Sequence, residues 1–164
     1  MRSLLAFFLT ILLVVSCSQT PTTTATTPTP KQPTHTLDND YGNANLKAGN
    51  PSKATTDVAN ADNYLLIKPQ YVLSYSKSRN IANWASWTLN QSWLGSAKRQ
   101  NNFRPDATLP SGWYKVVTRD YNGSGFDRGH LVNSEDRGKS VEDNSATFLM
   151  TNIIPQAPDN NQGV

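Results

Sequence analysis

The sequence predicts an α+β fold, with strands early in the folded part of the chain and helices near its end. Residues 64–67, 71–75 and 84–89 are short runs of aromatic and aliphatic side chains, which are typical of strands. A helix start is indicated at Ser140, because serine caps helix N-termini and two acidic residues follow it in the first turn. Short strands followed by short helices indicate the α+β class.

The segments between these elements contain turn signals and one further strand. Residues 77–80 and the glycine-rich residues 121–125 are predicted turns. Residues 113–117 are predicted to be a strand or a loop segment. Residues 126–132 are predicted to form a strand that carries the most reactive side chains of the chain.

The C-terminal part is predicted to contain two helices. The first is expected to run from Ser140 to residue 150 and to have ended by Pro155, because proline does not continue a helix. The second is expected to open at Pro158, since proline suits the first helical position, and to carry Asn160 and Asn161 in its first turns.

The first 17 residues have the pattern of an export signal. Arg2 makes the start positive, and residues 4–15 form an apolar run too short to span a bilayer comfortably, which disfavours an uncleaved membrane anchor. The residues that lead to Cys17 resemble a bacterial lipobox. Because Cys17 is the single cysteine of the chain, no internal disulfide can form. We predict a signal peptide at residues 1–17, with lipid anchoring through Cys17 or free secretion as the alternatives.

Residues 18–62 have the composition of a tether and linker. Residues 18–36 are almost all Thr, Pro, Gln and Ser, which cannot build a core. The polar residues that follow show little periodicity, so we place the start of the folded domain near Asn63. His35 lies in the tether, where nothing would position it for catalysis, and His130 is therefore the candidate imidazole.

The charges are unevenly distributed, although the formal net charge is only +3. Residues 63–105 contain no acidic residue, and their basic residues are interleaved with aromatic ones. This pattern favours a surface that binds a polyanion such as nucleic acid. For the aromatic side chains, a buried core is the favoured alternative. The basic residues on which the polyanion hypothesis rests are Lys68, Lys77, Arg79, Lys98, Arg99 and Arg104.

One short motif combines the carboxylate of Asp127, the guanidinium of Arg128 and the imidazole of His130. An imidazole titrates near neutral pH and can take a proton from water. Arg128 or Arg99 can match phosphate oxygens, and Asn161 offers an oxygen to a divalent cation. These groups are what hydrolysis of a phosphodiester requires. By itself, the same cluster is also typical of a structural ion-pair network.

The wider pattern resembles the DNA/RNA non-specific endonuclease family, the secreted ββα-metal (His-Me finger) nucleases. The motif Asp127-Arg128-Gly129-His130 is joined in this resemblance by blocks on either side, at residues 83–87, 99–106, 143–150, 151–156 and 160–162. The resemblance extends from about Asn63 to the end of the sequence. It implies a ββα-metal core on a mainly antiparallel sheet.

The resemblance also implies roles for individual residues. His130 matches the general base that activates the attacking water, and Arg99 matches the arginine placed on the scissile phosphate. Asp127 and Arg128 match the supporting residues of the motif. Asn161 matches the one side chain that directly binds a single divalent cation, Mg²⁺ or Mn²⁺.

The implied reaction is hydrolysis of DNA and RNA, with little sequence preference and with 5′-phosphate ends. Nucleic acids are the implied partners, and no protein partner is inferable.

Asn152 matches a position that organises the site. In the family, the helix after Asn161 continues to a tryptophan and a leucine-glutamate pair, which residues 162–164 do not supply. We therefore interpret residues 63–164 as the N-terminal portion of the domain, truncated at the C-terminus, and expect little Mg²⁺-dependent activity from it.

Two alternative functions compete with an exported nuclease. One is an exported lipoprotein that binds nucleic acid without cutting it, which the basic, aromatic stretch allows. The other is an antibacterial toxin nuclease. The signal-like N-terminus and the lack of a delivery domain in the sequence argue against the toxin.

Overall fold

The computed structural model describes residues 43–163, and these contain short elements joined by 3-10 turns. The strands are β1 (Tyr64–Ile67), β2 (Val72–Ser76), β3 (Ile81–Ser86), β4 (Asp127–His130) and β5 (Ile153–Gln156). The helices are α1 (Val141–Ala146) and α2 (Pro158–Gln162). The predicted α+β class is confirmed. The predicted signal peptide, Cys17 and His35 lie outside the described residues.

Strands β1, β2 and β3 form an antiparallel sheet with β2 at its centre. All five residues of β2 are buried, because both faces of the sheet are covered. On one face, the ring of Trp113 packs at 5.1 Å from that of Tyr64 and at 6.4 Å from that of Tyr75. The prediction that the aromatic residues of 63–105 build a core is confirmed for Tyr64 and Tyr75. Trp113 lies in a loop, one of the two alternatives predicted for residues 113–117.

The other face of this sheet is covered by residues that precede β1. Leu46 and Ala54 pack against Leu65 and Val72. Thr55 forms a parallel bridge with Tyr64, the first residue of β1. The packed structure therefore includes part of the polar segment that precedes Asn63.

Two predicted boundaries differ from the structure because pairing with another segment overrides local pattern. Strand β3 begins at Ile81, three residues before the predicted start, and ends at Ser86. Helix α1 begins after its predicted cap, where the Ser140 hydroxyl accepts a hydrogen bond from the Asp143 amide, but it ends at Ala146 rather than at residue 150. The following residues leave the helix to pair with Arg104, whose amide donates to the Phe148 carbonyl at 3.1 Å.

Pro155 lies inside strand β5, and the helix expected to have ended by Pro155 already ends at Ala146. Pro155 pairs with Arg128 in a two-stranded sheet formed by β4 and β5. Each strand of such a sheet has a free edge, where a residue without an amide hydrogen is tolerated. Pro158 opens α2 at the predicted place.

Lys68 does not contribute to a polyanion-binding surface, which corrects the prediction for this residue. It is only 8% exposed, and its ammonium group lies 2.9 Å from the carboxylate of Asp106. Burial of Asp106 opposes ionisation, but the charge and hydrogen bond of Lys68, together with the hydrogen bonds from Thr108, lower the pKa of the carboxyl group. The partner lies one residue beyond the acid-free stretch, where the sequence pattern did not associate it with Lys68.

In residues 43–163, no helix has the length and apolar character that a membrane span needs.

Candidate active site

The motif residues lie in a strand-strand-helix unit formed by β4, β5 and α2. Strands β4 and β5 are antiparallel, with Asp127 opposite Gln156 and His130 opposite Ile153. Helix α2 starts two residues after β5 and contacts β4. Gly129 is required in β4, because a Cβ atom there would lie 2.6 Å from the Cβ of Gln156. This unit places the strand that carries the imidazole beside the helix that carries Asn161.

Arg128 and His130 are two residues apart on β4, so they share one face of the strand. Both contact Phe103. The Arg128 guanidinium lies 4.5 Å from the centre of the Phe103 ring, and the imidazole of His130 lies 5.5 Å from the same ring. The imidazole also packs edge-on against Phe148 at 4.8 Å, and the two phenyl rings contact each other at 5.0 Å. The phenylalanine pair therefore supports both motif side chains.

Arg99 is brought to the same aromatic pair from a loop that is distant in sequence. Its guanidinium lies 4.9 Å from the centre of the Phe148 ring. Its nitrogens donate hydrogen bonds to the hydroxyl of Ser134 at 2.7 Å and to the side-chain oxygen of Asn101 at 2.8 Å. These contacts hold the exposed guanidinium in one orientation, although the loop has no regular secondary structure.

The loop that carries Arg99 is fixed by Asn144 of α1. The Asn144 side chain accepts a hydrogen bond from the Gln100 amide at 3.0 Å and donates one to the carbonyl of Ser134 at 2.7 Å. It therefore joins Gln100, which follows Arg99, to Ser134, whose hydroxyl accepts a hydrogen bond from the Arg99 guanidinium. Upstream, the Ala97 amide donates to the carbonyl of Gly138 at 3.0 Å.

The imidazole of His130 is kept neutral by its surroundings. Burial, and then the positive charge of Arg99, lower its pKa from 6.5 to about 4. Its Nε2 atom is buried and has no hydrogen-bond partner within residues 43–163. A buried polar atom without a partner is rare in folded proteins and calls for a partner from outside the chain.

The carboxylate of Asp127 lies on the opposite side of β4 from the imidazole and is bonded to α2. It accepts a hydrogen bond from the Asn161 amide nitrogen at 3.0 Å and a second from the amide of Gln162. The Gln162 bond, then the Asn161 bond, and to a smaller extent the charge of Arg128, lower the pKa of this exposed carboxyl group. Asp127 therefore remains an anion near neutral pH.

The residues around Asp127 suit a divalent cation that keeps most of its water. Because the nitrogen of the Asn161 amide points to Asp127, its oxygen is left to accept a ligand, and no hydrogen bond reaches that oxygen from the described chain. An amide oxygen beside a carboxylate is a donor set that Mg²⁺ and Mn²⁺ accept. Residues 43–163 contain no group of three or more His, Cys, Asp or Glu side chains arranged to hold a metal ion, so such a cation would depend on few protein ligands.

Four of the five predicted site residues line one open cleft with a volume of about 340 Å³. His130 does not line it, but the imidazole packs on Phe103, which does. The residues that line the cleft are Arg99, Phe103, Tyr121, Asn122, Phe126, Asp127, Arg128, Asn161 and Gln162. The structure therefore brings together residues that are 62 positions apart in the sequence, Arg99 and Asn161.

Asn152 is completely buried and fixes the chain just after His130. Its side chain accepts from the Val132 amide at 3.0 Å, and it donates to the carbonyls of Val132 and Thr147 at 3.0 and 2.9 Å. The position of the imidazole depends on these bonds because Val132 is only two residues from it.

Sequence reasoning missed the supporting roles of Phe103 and Phe148. No role was predicted for either residue. The usable signal was that each phenylalanine lies in a block that resembles the family.

The amino-acid sequence is similar to those of known nucleases. Residues 48–164 match the family described as DNA/RNA non-specific endonuclease. A nuclease of Nostoc sp. is 60% identical over 117 residues, which cover 71% of this chain and 43% of that protein. Human mitochondrial endonuclease G is 33% identical over 97 residues, which cover 58% of this chain and 32% of that protein. The chain therefore spans less than half the length of these curated relatives.

A solved structure supports the fold independently. A chain of the EndoG/EndoGI complex superposes with a TM-score of 0.59, at 22% identity, over 76% of this chain and 47% of that chain. The strand-strand-helix unit at residues 127–162 and the match over residues 48–164 lead to the same conclusion. The chain belongs to the DNA/RNA non-specific endonuclease family.

Proposed function

We propose that this protein is a metal-dependent endonuclease that hydrolyses phosphodiester bonds of DNA and RNA and leaves 5′-phosphate ends. The observation that carries the proposal is the convergence of Arg99, Arg128 and His130 on one phenylalanine pair, with the linked side chains of Asp127 and Asn161 beside them. An imidazole, two guanidiniums and an oxygen site for a cation together provide the base, the phosphate contacts and the charge neutralisation.

His130 acts in this proposal as the general base. Its lowered pKa keeps the imidazole neutral at physiological pH, so that a ring nitrogen can accept the proton of the attacking water. The unpartnered Nε2 atom supports this role, because a water molecule could donate the hydrogen bond that the described chain does not supply. Phe103 and Phe148 hold the ring in place.

Arg99 and Arg128 bind the scissile phosphate. Neither guanidinium forms a salt bridge to a carboxylate of the described residues, so both keep their charge available for phosphate oxygens. Both stack on aromatic rings and both line the cleft. Ring stacking orients the planar groups without neutralising them.

Asn161 would hold the cation through its amide oxygen, and Asp127 would orient that amide and accept hydrogen bonds from the water around the cation. A bound Mg²⁺ or Mn²⁺ supplies charge neutralisation at the phosphate and stabilisation of the leaving oxygen.

Low sequence preference follows from the composition of the cleft. Its charged side chains suit the phosphate backbone, which DNA and RNA share and which carries no sequence information directly. Binding through the phosphate backbone needs no side chain that recognises particular nucleobases.

Digestion of plasmid DNA, of RNA and of a fluorogenic oligonucleotide tests the proposal. We expect cleavage by the 164-residue chain to be weak, to require Mg²⁺ or Mn²⁺, to stop in EDTA and to be lost in His130→Ala. His35→Ala is the matched control, since it removes the other histidine. Products with 3′-phosphate ends, or cleavage that persists in EDTA or in His130→Ala, would contradict the mechanism. A gel shift without any cleavage would support the alternative of a nucleic-acid-binding lipoprotein.

Export is part of the same proposal and rests on residues 1–17. The composition of this segment supports a signal peptide, with either free secretion or lipid anchoring through Cys17. Palmitate labelling of the wild type and of Cys17→Ala distinguishes the two. Label in the wild type and none in the variant supports the lipid anchor, whereas release of unlabelled protein supports free secretion.

A further inference from the structure

Phe126 is a large aromatic side chain that the fold exposes at the edge of the cleft. It is 51% exposed, although phenylalanine is among the residues most often buried. It directly precedes Asp127 and lines the same cleft as Arg99 and Arg128. The core and the motif contacts described above do not use this ring.

A hydrogen-bonded turn presents the Phe126 ring. The hydroxyl of Ser124 accepts a hydrogen bond from the Phe126 amide at 3.1 Å and lies 2.9 Å from the Tyr121 carbonyl, to which it donates. Gly125 has a φ of +78°, a conformation that residues with side chains rarely adopt. The turn therefore fixes the backbone from which the ring projects, so that little backbone entropy is lost when a ligand contacts the ring.

Tyr121 lines the same cleft as Phe126 and is the third aromatic residue of its lining, with Phe103. Burial raises the pKa of its phenol to about 12, so it stays neutral at physiological pH and repels no phosphate. The lining of the cleft thus combines the cationic side chains of Arg99 and Arg128 with the neutral aromatic side chains of Phe126 and Tyr121.

A nucleotide has the same two parts, a charged phosphate and a flat base attached through the sugar. We propose that Phe126, together with Tyr121 of the same cleft, is a stacking platform for the nucleobase adjacent to the phosphate that Arg99 and Arg128 bind. This inference rests on the proposed function. It adds a contact that positions the substrate and that is independent of the general base and of the cation.

Stacking of this kind has two consequences for substrate class. It tolerates all bases, because every base has a π face, and so it adds affinity without sequence preference. It favours single-stranded or locally opened nucleic acid, because a base inside a duplex is already stacked on its neighbours.

The test measures binding of a fluorescein-labelled eight-nucleotide single strand by anisotropy, in EDTA so that no cleavage occurs. Base–aromatic stacking contributes about 1–3 kcal/mol, so Phe126→Ala should weaken binding roughly 5- to 150-fold. Phe126→Trp should retain affinity, and bound bases should quench its fluorescence. Leu89→Ala is the matched control, because Leu89 is 53% exposed and does not line the cleft. It should bind as the wild type does.

An abasic oligonucleotide of the same length separates base contacts from phosphate contacts. The wild type should bind it more weakly than the normal strand, and Phe126→Ala should bind the two alike. If the wild type binds both strands equally, or if Phe126→Ala retains wild-type affinity, the platform is refuted.

The proposed function is judged by a different variant in the same assay. If Arg128→Ala and added salt leave binding of the normal strand unchanged, the cleft does not bind phosphate and the proposed function fails, whatever the result at Phe126. If the wild type binds neither strand, both proposals fail.

Discussion

The side-chain amide of Asn161 donates a hydrogen bond to the carboxylate of Asp127 at 3.0 Å. This bond joins the first residue of β4 to helix α2, whose contact with that strand positions the two side chains together. It also fixes which end of the amide faces the carboxylate, since only the nitrogen can donate. Asp127 and Asn161 are 34 positions apart in the sequence, and this hydrogen bond holds them together in the lining of the cleft.

Replacing Asp127 should weaken cation binding. Asp127→Ala removes the acceptor that orients the Asn161 amide, and loss of such an orienting partner typically lowers metal affinity about 10- to 100-fold. Calorimetric titration with Mn²⁺ measures the effect. Glu142→Gln, which removes an exposed carboxylate elsewhere, is the control and should bind Mn²⁺ as the wild type does. Equal affinities for all three proteins would show that the Asp127 carboxylate does not support a metal site.

The stability of the fold should fall as pH decreases from 6.5 to about 4. Unfolded chain binds a proton at residue 130 below the ordinary pKa of 6.5, whereas the folded protein does not until about pH 4, so protonation favours the unfolded state in this window. At about 1.4 kcal/mol per pH unit, His130 contributes at most about 3 kcal/mol. Urea denaturation at several pH values measures the slope.

The non-titrating variant His130→Asn is the comparison for this pH dependence. It should show a shallower loss of stability between pH 6.5 and 4, because Asp106, whose lowered pKa also links stability to pH, loses its contribution only at lower pH. Parallel slopes for the two proteins would argue against a buried, neutral imidazole. An NMR titration of His130 with a midpoint near 6.5 would do the same.

Asn152→Ala should destabilise the protein by about 2–4 kcal/mol. The change removes three buried hydrogen bonds and leaves the Val132 amide and two carbonyls without those partners. The measurement is the free energy of unfolding in urea. Asn122→Ala is the control, because Asn122 is exposed and should change stability by less than about 0.5 kcal/mol. Similar values for both variants would mean that Asn152 does not clamp the end of β4.

Lys68→Met should cost about 3–5 kcal/mol, because it leaves the buried carboxylate of Asp106 without its countercharge. Adding Asp106→Asn removes the unpaired charge, so the double variant should be more stable than Lys68→Met alone. Thermal and urea unfolding measure both. Lys98→Met, at an exposed lysine, should be near neutral. A double variant no more stable than the single one would contradict the buried ion pair.

Local features of the sequence were sufficient to predict several elements. Strand β1 coincides with its predicted residues, Ser140 caps α1, and Pro158 opens α2. These features depend on side chains within a few residues of one another, so neighbouring sequence carries the information. The same holds for the motif on β4, whose residue types indicate phosphate chemistry before any packing is known.

Other features depend on contacts that no local pattern contains. The end of α1 at Ala146 follows from pairing with Arg104, and the burial of Lys68 follows from a partner 38 residues away. The pattern of residues 63–105 could not distinguish an exposed lysine or arginine from a buried one. Burial of such a side chain depends on whether an acidic partner lies beside it in the fold, and the residue type does not reveal that.

The candidate site shows the same division. Its amino acids, and their likeness to one family, were readable from sequence alone. Only the tertiary structure decided that Phe103 and Phe148 support the arginines and the imidazole, that the amide of Asn161 turns its nitrogen to Asp127, and that Phe126 stands at the rim. The physical reason is that the burial, orientation and pKa of a side chain depend on the residues packed around it. Many of these residues are distant in sequence and come into contact only when the chain folds.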